Sequence, residues 1–168
     1  MRVGLIGQVR RVWAPRGVKV VQKLEFEYEW AYLNLAVNGL KGWLYWDWTS
    51  NMKAESIVKV VEQWEAKDVD VIVWDRAPGH RGETFKQVEV ARIKQPPYSP
   101  ELNPAERIFE ELRRKVEGKV YGDIEKKKAA VEEELRKLVA APEKVKQLAG
   151  WSWIQQSVNS LCLIMALQ

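Results

Sequence analysis

Two carboxylates lie where metal-dependent chemistry could be built. Asp75 follows a nearly continuous apolar run, residues 69–74, in the stretch VIVWDRAPGHRG, and Glu106 lies inside PPYSPELNPAERIFEELRR. Ligand sites of α/β sheets form just outside the carboxyl ends of buried strands, and the positive end of a helix dipole favours an ionised acid in the first turn. Carboxylate oxygens are the ligands that Mg²⁺ and Mn²⁺ prefer. A two-metal site activates a water or hydroxyl and stabilises the leaving oxygen in phosphodiester displacement, so Asp75 and Glu106 are candidate ligands.

Each carboxylate also has a purely structural interpretation. Asp75 could form a turn by accepting hydrogen bonds from its own loop. Glu106 could be the third residue of a capping box, in which Asn103 is the N-cap and Pro104 the first helical residue. The residues alone leave both interpretations open.

Changes in the hydrophobic period outline the elements that must position these side chains. Alternation over residues 29–37, the turn pair Asn38-Gly39 and an apolar return over 42–48 predict an antiparallel hairpin. The order of elements predicts an α/β fold with a mixed sheet flanked by helices. The other predicted elements are a strand over 3–7, a helix around 57–64, a strand over 69–74, a short helix over 83–88, a strand over 90–93, and helices over 104–116 and 124–141.

Composition predicts one ordered domain over residues 1–168, with a sheet core and the acidic motifs in about 1–122 and helices in about 123–168. Of the 168 residues 46% are hydrophobic and 30% charged, which is typical of globular chains. The one cysteine, Cys162, excludes a disulfide framework and a cysteine-rich metal site. Without a signal peptide, a cytoplasmic, nucleoid-associated protein is expected. Residues 151–168 carry no charge but several polar groups, which predicts a helix that packs on the domain or a partner, with no membrane anchor.

Basic residues dominate the start of the chain. The net charge is +4, and no acid precedes Glu25. Such a patch can contact phosphates with an affinity that falls with salt, although an ordinary solvated basic surface would have the same composition. The candidate phosphate contacts are Arg10, Arg11, Arg16 and Lys19.

The motifs resemble those of the DDE transposases of the mariner superfamily, in particular the bacterial insertion-sequence branch. DRAPGH is similar to the family block that holds the second catalytic aspartate, and PPYSPELNPAE to the block that holds the third carboxylate. RRVWAPRG also resembles the family's segment after its first strand. The resemblance implies a ribonuclease H-like fold and metal-dependent cleavage and transfer of DNA strands, with Mg²⁺ or Mn²⁺ in a two-metal site. It assigns the catalytic, metal-binding roles to Asp75 and Glu106, auxiliary roles to His80 and Asn103, and DNA as partner, both transposon ends and target.

The sequence departs from the family pattern in two respects. Arg76 stands where the family commonly has asparagine. The family's first aspartate is expected just upstream of Met1. The first strand, which the resemblance places beside the strand ending at Asp75, is therefore expected to be truncated. A homodimer or an upstream peptide would then supply that aspartate, since Asp47, the alternative within the chain, ends the second strand of the hairpin. Glu101 is a weaker candidate than Glu106 for the third carboxylate, because it does not follow Asn-Pro. End-reading helix-turn-helix modules are expected to be absent. The alternative is an inactive remnant that binds DNA or transposase subunits without cutting, whereas a cellular ribonuclease H is disfavoured by the Pro-Pro-Tyr-Ser-Pro block.

Overall fold

The computed structural model describes residues 1–7, 13–75, 77, 79 and 83–165. Within these ranges the chain forms strands and helices in the predicted order, together with short 3₁₀ helices at Glu83–Gln87 and Pro100–Leu102. One helix was not predicted separately, because Pro142 begins a new helix as its first residue instead of only ending the one before. The elements are β1 (Arg2–Gly4), β2 (Trp30–Asn38), β3 (Trp43–Thr49), α1 (Ala54–Glu65), β4 (Val71–Trp74), β5 (Ala91–Lys94), α2 (Pro104–Val116), α3 (Ile124–Val139), α4 (Pro142–Ala149) and α5 (Ser152–Met165).

The hairpin is confirmed, with a longer turn than expected. β2 pairs antiparallel with both β1 and β3, and its register with β3 runs from Tyr32 opposite Thr49 to Asn38 opposite Trp43. The turn is closed by Asn38, whose side-chain oxygen accepts the N–H groups of Leu40 and Lys41 at 3.1 and 2.9 Å. The backbone carbonyl of Asn38 also accepts the N–H of Gly42 at 2.8 Å, so the side chain and the main chain of Asn38 close the turn together.

The strands are divided between two sheets. β1, β2 and β3 form an antiparallel sheet, and β4 and β5 form a separate parallel pair. Parallel and antiparallel pairing are therefore both present, but the described strands do not join into the single sheet that was expected, with β1 hydrogen-bonded beside β4. β1 has only three residues, so a second ladder along its other edge would offer few hydrogen bonds.

Two hydrophobic cores hold these layers in place. The first lies between one face of β1–β3 and the helices α2, α3 and α4, and its fully buried side chains include Leu33, Ile108 and Leu112. The second lies between α1 and the β4–β5 pair, where Trp74 meets Phe85 edge to face with ring centroids 5.1 Å apart. Each fully buried aliphatic side chain contributes about 1.5–3 kcal/mol. Asp75 therefore follows a strand of the second core, and Glu106 lies in a helix of the first core.

The remaining described segments lie at the surface. Residues 13–29 have no regular secondary structure, and this segment is held by the carboxylate of Glu25, which accepts the N–H groups of Tyr121 and Gly122. α5 confirms the predicted C-terminal helix, and its Ile154 is buried. No helix in the described ranges is long and apolar enough to cross a membrane.

Candidate functional site

Asp75 lies immediately beyond the end of β4. The preceding residue, Trp74, is buried in the second core, and its carbonyl accepts the N–H of Gln95 at 2.9 Å, which closes the β4–β5 pair. The Asp75 carboxylate is exposed, and its Oδ1 accepts the N–H of Ala77 at 3.0 Å. The predicted turn is therefore present. It also fixes the direction of the carboxylate, so the turn and a chemical role are compatible.

Glu106 lies in the first turn of α2 but does not form the capping box. Asn103 is the N-cap, as expected, with its Oδ1 accepting the N–H of Ala105 at 3.0 Å. A capping-box glutamate would accept the backbone N–H of the N-cap residue. That N–H instead donates to the carbonyl of Pro100 at 3.0 Å. The capping interpretation of Glu106 is therefore wrong, and its carboxylate is directed elsewhere.

The Glu106 carboxylate faces Arg113 across two turns of α2. The distance from Glu106 Oε2 to Arg113 Nη1 is 3.9 Å, and each side chain is 38% exposed. Residues seven apart share a helix face, which is the signal in the sequence that could have identified Arg113 as a neighbour of the acid. An exposed pair of this kind is worth at most about 1 kcal/mol, so it orients the carboxylate more than it stabilises the fold.

The start of β1 connects the two carboxylates. The Met1 ammonium donates to the carbonyl of Leu33 at 2.5 Å. Burial lowers the pKa of this ammonium to about 6, the charges of Glu106 and Asp75 oppose that shift, and the charge of Arg113 adds to it. One half-buried group thus senses both acids and the arginine. The carboxylates of Asp75 and Glu106, from different sheets and cores, therefore both lie within electrostatic range of the Met1 amine.

The other candidate acids lie elsewhere. Asp47 alternates along β3 with Trp46 and Trp48, which pack against the first core, so it points to the sheet face opposite α2. Its Oδ1 accepts the N–H of Trp48 at 2.7 Å. Glu101 is exposed in the 3₁₀ helix before α2. Neither is brought to the pair Asp75 and Glu106.

Only some of the predicted basic and auxiliary residues lie among the residues that the structure describes. Arg16 and Lys19 are exposed in the irregular segment 13–29. Asn103 serves α2 as its N-cap. Arg10, Arg11, Arg76 and His80 lie outside the described residues.

The donor set suits a hard divalent cation. Mg²⁺ usually keeps several waters and is held by one or two carboxylates together with substrate phosphates, which matches two carboxylates at a solvent-accessible edge. Among the described residues there is no group of three or more His, Cys, Asp or Glu side chains able to hold a metal. Carboxylates such as those of Asp75 and Glu106 are the ligand type that this cation takes together with water and phosphate.

Comparison with known proteins gives the family. A model of the DDE superfamily endonuclease family matches residues 1–127. Among solved structures, the chain is similar to the Mos1 transposase paired-end complex with left transposon end, with a TM-score of 0.65 and 14% identity over 89% of this chain and 49% of that chain. It is also similar to the Mos1 Strand Transfer Complex, with a TM-score of 0.66 and 13% identity over 89% of this chain and 48% of that chain.

These comparisons differ in what they establish. The chain spans about half the length of the structures that it matches, and at these identities the likeness shows the fold, which confirms the ribonuclease H-like α/β class. No curated protein matches the chain in sequence. The expected bacterial insertion-sequence branch stays a prediction. Because the family model covers most of the sequence, the chain belongs to the DDE superfamily endonucleases.

Proposed function

We propose that the chain is the catalytic domain of a transposase that cleaves and transfers DNA strands in metal-dependent DNA transposition. The observation that carries the proposal is the match of residues 1–127, which contain Asp75 and Glu106, to the model of an endonuclease family. The charges of both acids also act on the half-buried Met1 amine, so each lies within electrostatic range of it. The similar solved structures are named as transposase complexes, one of them with a transposon end.

In this proposal Asp75 and Glu106 are metal ligands held by different elements. When bound there, Mg²⁺ or Mn²⁺ would supply activation of a water or hydroxyl and stabilisation of the leaving oxygen. Asp75 is aimed by its turn to Ala77, and Glu106 by the first turn of α2. Arg113, whose Nη1 lies 3.9 Å from Glu106 Oε2, would offset part of the repulsion between the two carboxylates.

Basic side chains would hold the DNA backbone near this pair. Arg16 and Lys19 are exposed on the irregular segment that follows β1, where they can reach phosphates. Arg10, Arg11 and His80 remain candidates for the same surface from the sequence alone. The substrates would be transposon ends and target DNA, and the place of action would be the nucleoid.

The test is plasmid nicking by the purified chain with Mn²⁺ or Mg²⁺. We expect the wild type to convert supercoiled plasmid to the open circle, and Asp75→Asn and Glu106→Gln to abolish the conversion. Glu101→Gln is the matched control, because Glu101 is an exposed acid just before α2 that does not join the pair. It should nick as the wild type does.

Other outcomes would change the assignment. Nicking that survives in both Asp75→Asn and Glu106→Gln would refute the proposed ligands. DNA binding without nicking in either metal would favour the second candidate, a non-cutting DNA-binding relative.

A further inference from the structure

A second polar site lies on another flank of α2. A surface groove of about 460 Å³ runs between α2 and the junction of α4 with α5, within the range of about 300–1,000 Å³ common for ligand clefts. At 3.6 residues per turn, Arg107 projects about 100° around the helix from Glu106, and neither Glu106 nor Asp75 lines the groove. We call it the α2 groove, and it is lined by Arg107, Glu110, Arg114, Gln147, Leu148 and Trp151, among others.

Arg107 forms a flat cationic surface in the α2 groove. Its guanidinium carbon lies 4.8 Å from the ring centroid of Trp151, and its Nη1 donates to Glu110 Oε2 at 2.9 Å. The side chain is nevertheless 43% exposed. A planar guanidinium that is backed by an indole and open on its outer side can stack against another flat group.

Arg114 adds positive charge further along the same flank. It lies seven residues from Arg107, which places the two about 10 Å apart along the helix axis. Arg114 shares the buried carboxylate of Glu111 with Lys144, whose Nζ lies 3.1 Å from Glu111 Oε1. Two cations thus face one carboxylate, and the Arg114 side chain is 70% exposed. Because the carboxylate of Glu111 is shared between two cations, the exposed guanidinium of Arg114 can also contact a phosphate.

We propose that the α2 groove binds an unpaired nucleotide of single-stranded DNA, with the base stacked on Arg107 and a phosphate on Arg114. This inference rests on the proposed function and adds a second DNA contact to it. A base in a duplex is already stacked on its neighbours, whereas an unpaired base is free to stack on an aromatic ring or a guanidinium plane. An acidic peptide is a poorer fit, because its carboxylate side chains offer no aromatic face to stack on the guanidinium of Arg107.

The experiment compares unpaired and paired DNA on the full chain. Binding of a fluorescently labelled twelve-residue oligothymidylate and of a labelled duplex of equal length is measured by anisotropy in EDTA. The informative variant is Arg107→Lys, which keeps the charge but loses the flat guanidinium. We expect it to bind the oligothymidylate about fivefold to a hundredfold more weakly, as loss of a stacked base predicts. Its affinity for the duplex should change by less than about twofold.

Trp43→Ala is the matched control. Trp43 is also a half-exposed tryptophan beside a cation, with Lys41 Nζ 4.5 Å from its ring centroid. It alternates with Leu44 of the first core, so it points to the sheet face opposite α2 and α4. The control should bind both DNA probes as the wild type does. An unchanged melting temperature of Arg107→Lys, an exposed substitution, would exclude a folding defect.

Several results would overturn the inference. Wild-type affinity of Arg107→Lys for the oligothymidylate would mean that charge alone matters, and an equal loss on the duplex would mean a general phosphate contact. Displacement of the oligothymidylate by oligoglutamate as readily as by unlabelled DNA would mean a peptide surface. Wild-type binding to the duplex alone would defeat this inference and leave the proposed function intact, whereas binding to neither probe would defeat both.

Discussion

A double-mutant cycle at the start of α2 should distinguish helix capping from chemistry. Asn103→Ala removes the side chain that accepts the Ala105 N–H, which should lower the free energy of unfolding by about 1 kcal/mol. Glu106→Ala removes a half-exposed ion pair with Arg113 and a favourable helix-dipole contact, each worth about 1 kcal/mol or less. Because Asn103 N–H donates to Pro100 and not to Glu106, the two losses should add within about 0.5 kcal/mol.

The cycle is measured by urea denaturation of the wild type, both single variants and the double variant, with nicking assayed in parallel. Glu106→Ala serves the stability cycle better than Glu106→Gln, since glutamine at this position can still complete a capping box. We expect Asn103→Ala to nick DNA at a temperature well below its melting point, and Glu106→Ala not to nick at all. A coupling free energy above about 1 kcal/mol would show that Asn103 and Glu106 act as one cap, and the assignment of Glu106 as a directed ligand would then fail.

Two further predictions follow from the same structure. Glu106→Gln should lower the pKa of the Met1 amine below its value of about 6, and Arg113→Met should raise it, because the first removes a charge that stabilises the ammonium and the second a charge that opposes it. Both pKa values are measured from the pH dependence of acylation of the Met1 amine. Equal pKa values in the two variants would show that the charges of Glu106 and Arg113 do not act on this amine. Gly42→Ala should destabilise the chain by more than about 1 kcal/mol, since φ is +75° and the new Cβ would meet the carbonyl of the first residue of α4. Gly17→Ala, at φ +86° with open space around it, should lose less stability in the same denaturation experiment.

The sequence predicted the elements that carry a regular hydrophobic period. Alternation in β2 placed Leu33 and Leu35 on the core face, where they lie. The period of α2 placed Ile108 and Leu112 inward, and both are fully buried. Asn103 as N-cap and Asp75 beyond a strand end also followed from local residue types. Local periodicity and local hydrogen bonding therefore identified most of the elements and both candidate acids.

The features that the sequence did not reveal depend on competition between distant groups. Whether β1 also pairs with β4 depends on the length of β1, which forms only three residue pairs with β2. No residue type in the sequence encodes that length. The capping box was one of two interpretations that the residues left open for Glu106. It does not form, because the N–H of Asn103 donates to the carbonyl of Pro100 in the 3₁₀ helix that precedes α2. The Pro100 carbonyl could not be recognised as the acceptor from the spacing of Asn103 and Glu106, because its position arises from the fold of the Pro-Pro-Tyr-Ser-Pro stretch.

The geometry of α2 explains how one helix could serve both proposed sites. Its core face, with Ile108 and Leu112 fully buried, fixes the rotation of the helix, because a turn about its axis would expose those side chains at a cost of about 1.5–3 kcal/mol each. Once that rotation is fixed, Glu106 lies on the helix face that it shares with Arg113, and Arg107 faces Trp151 at the α4–α5 junction. The directions of the acid and of the stacking arginine therefore follow from core packing, and a core substitution that tilts α2 would disturb both sites together. Separate variants at the two side chains, by contrast, should affect nicking and single-strand binding independently.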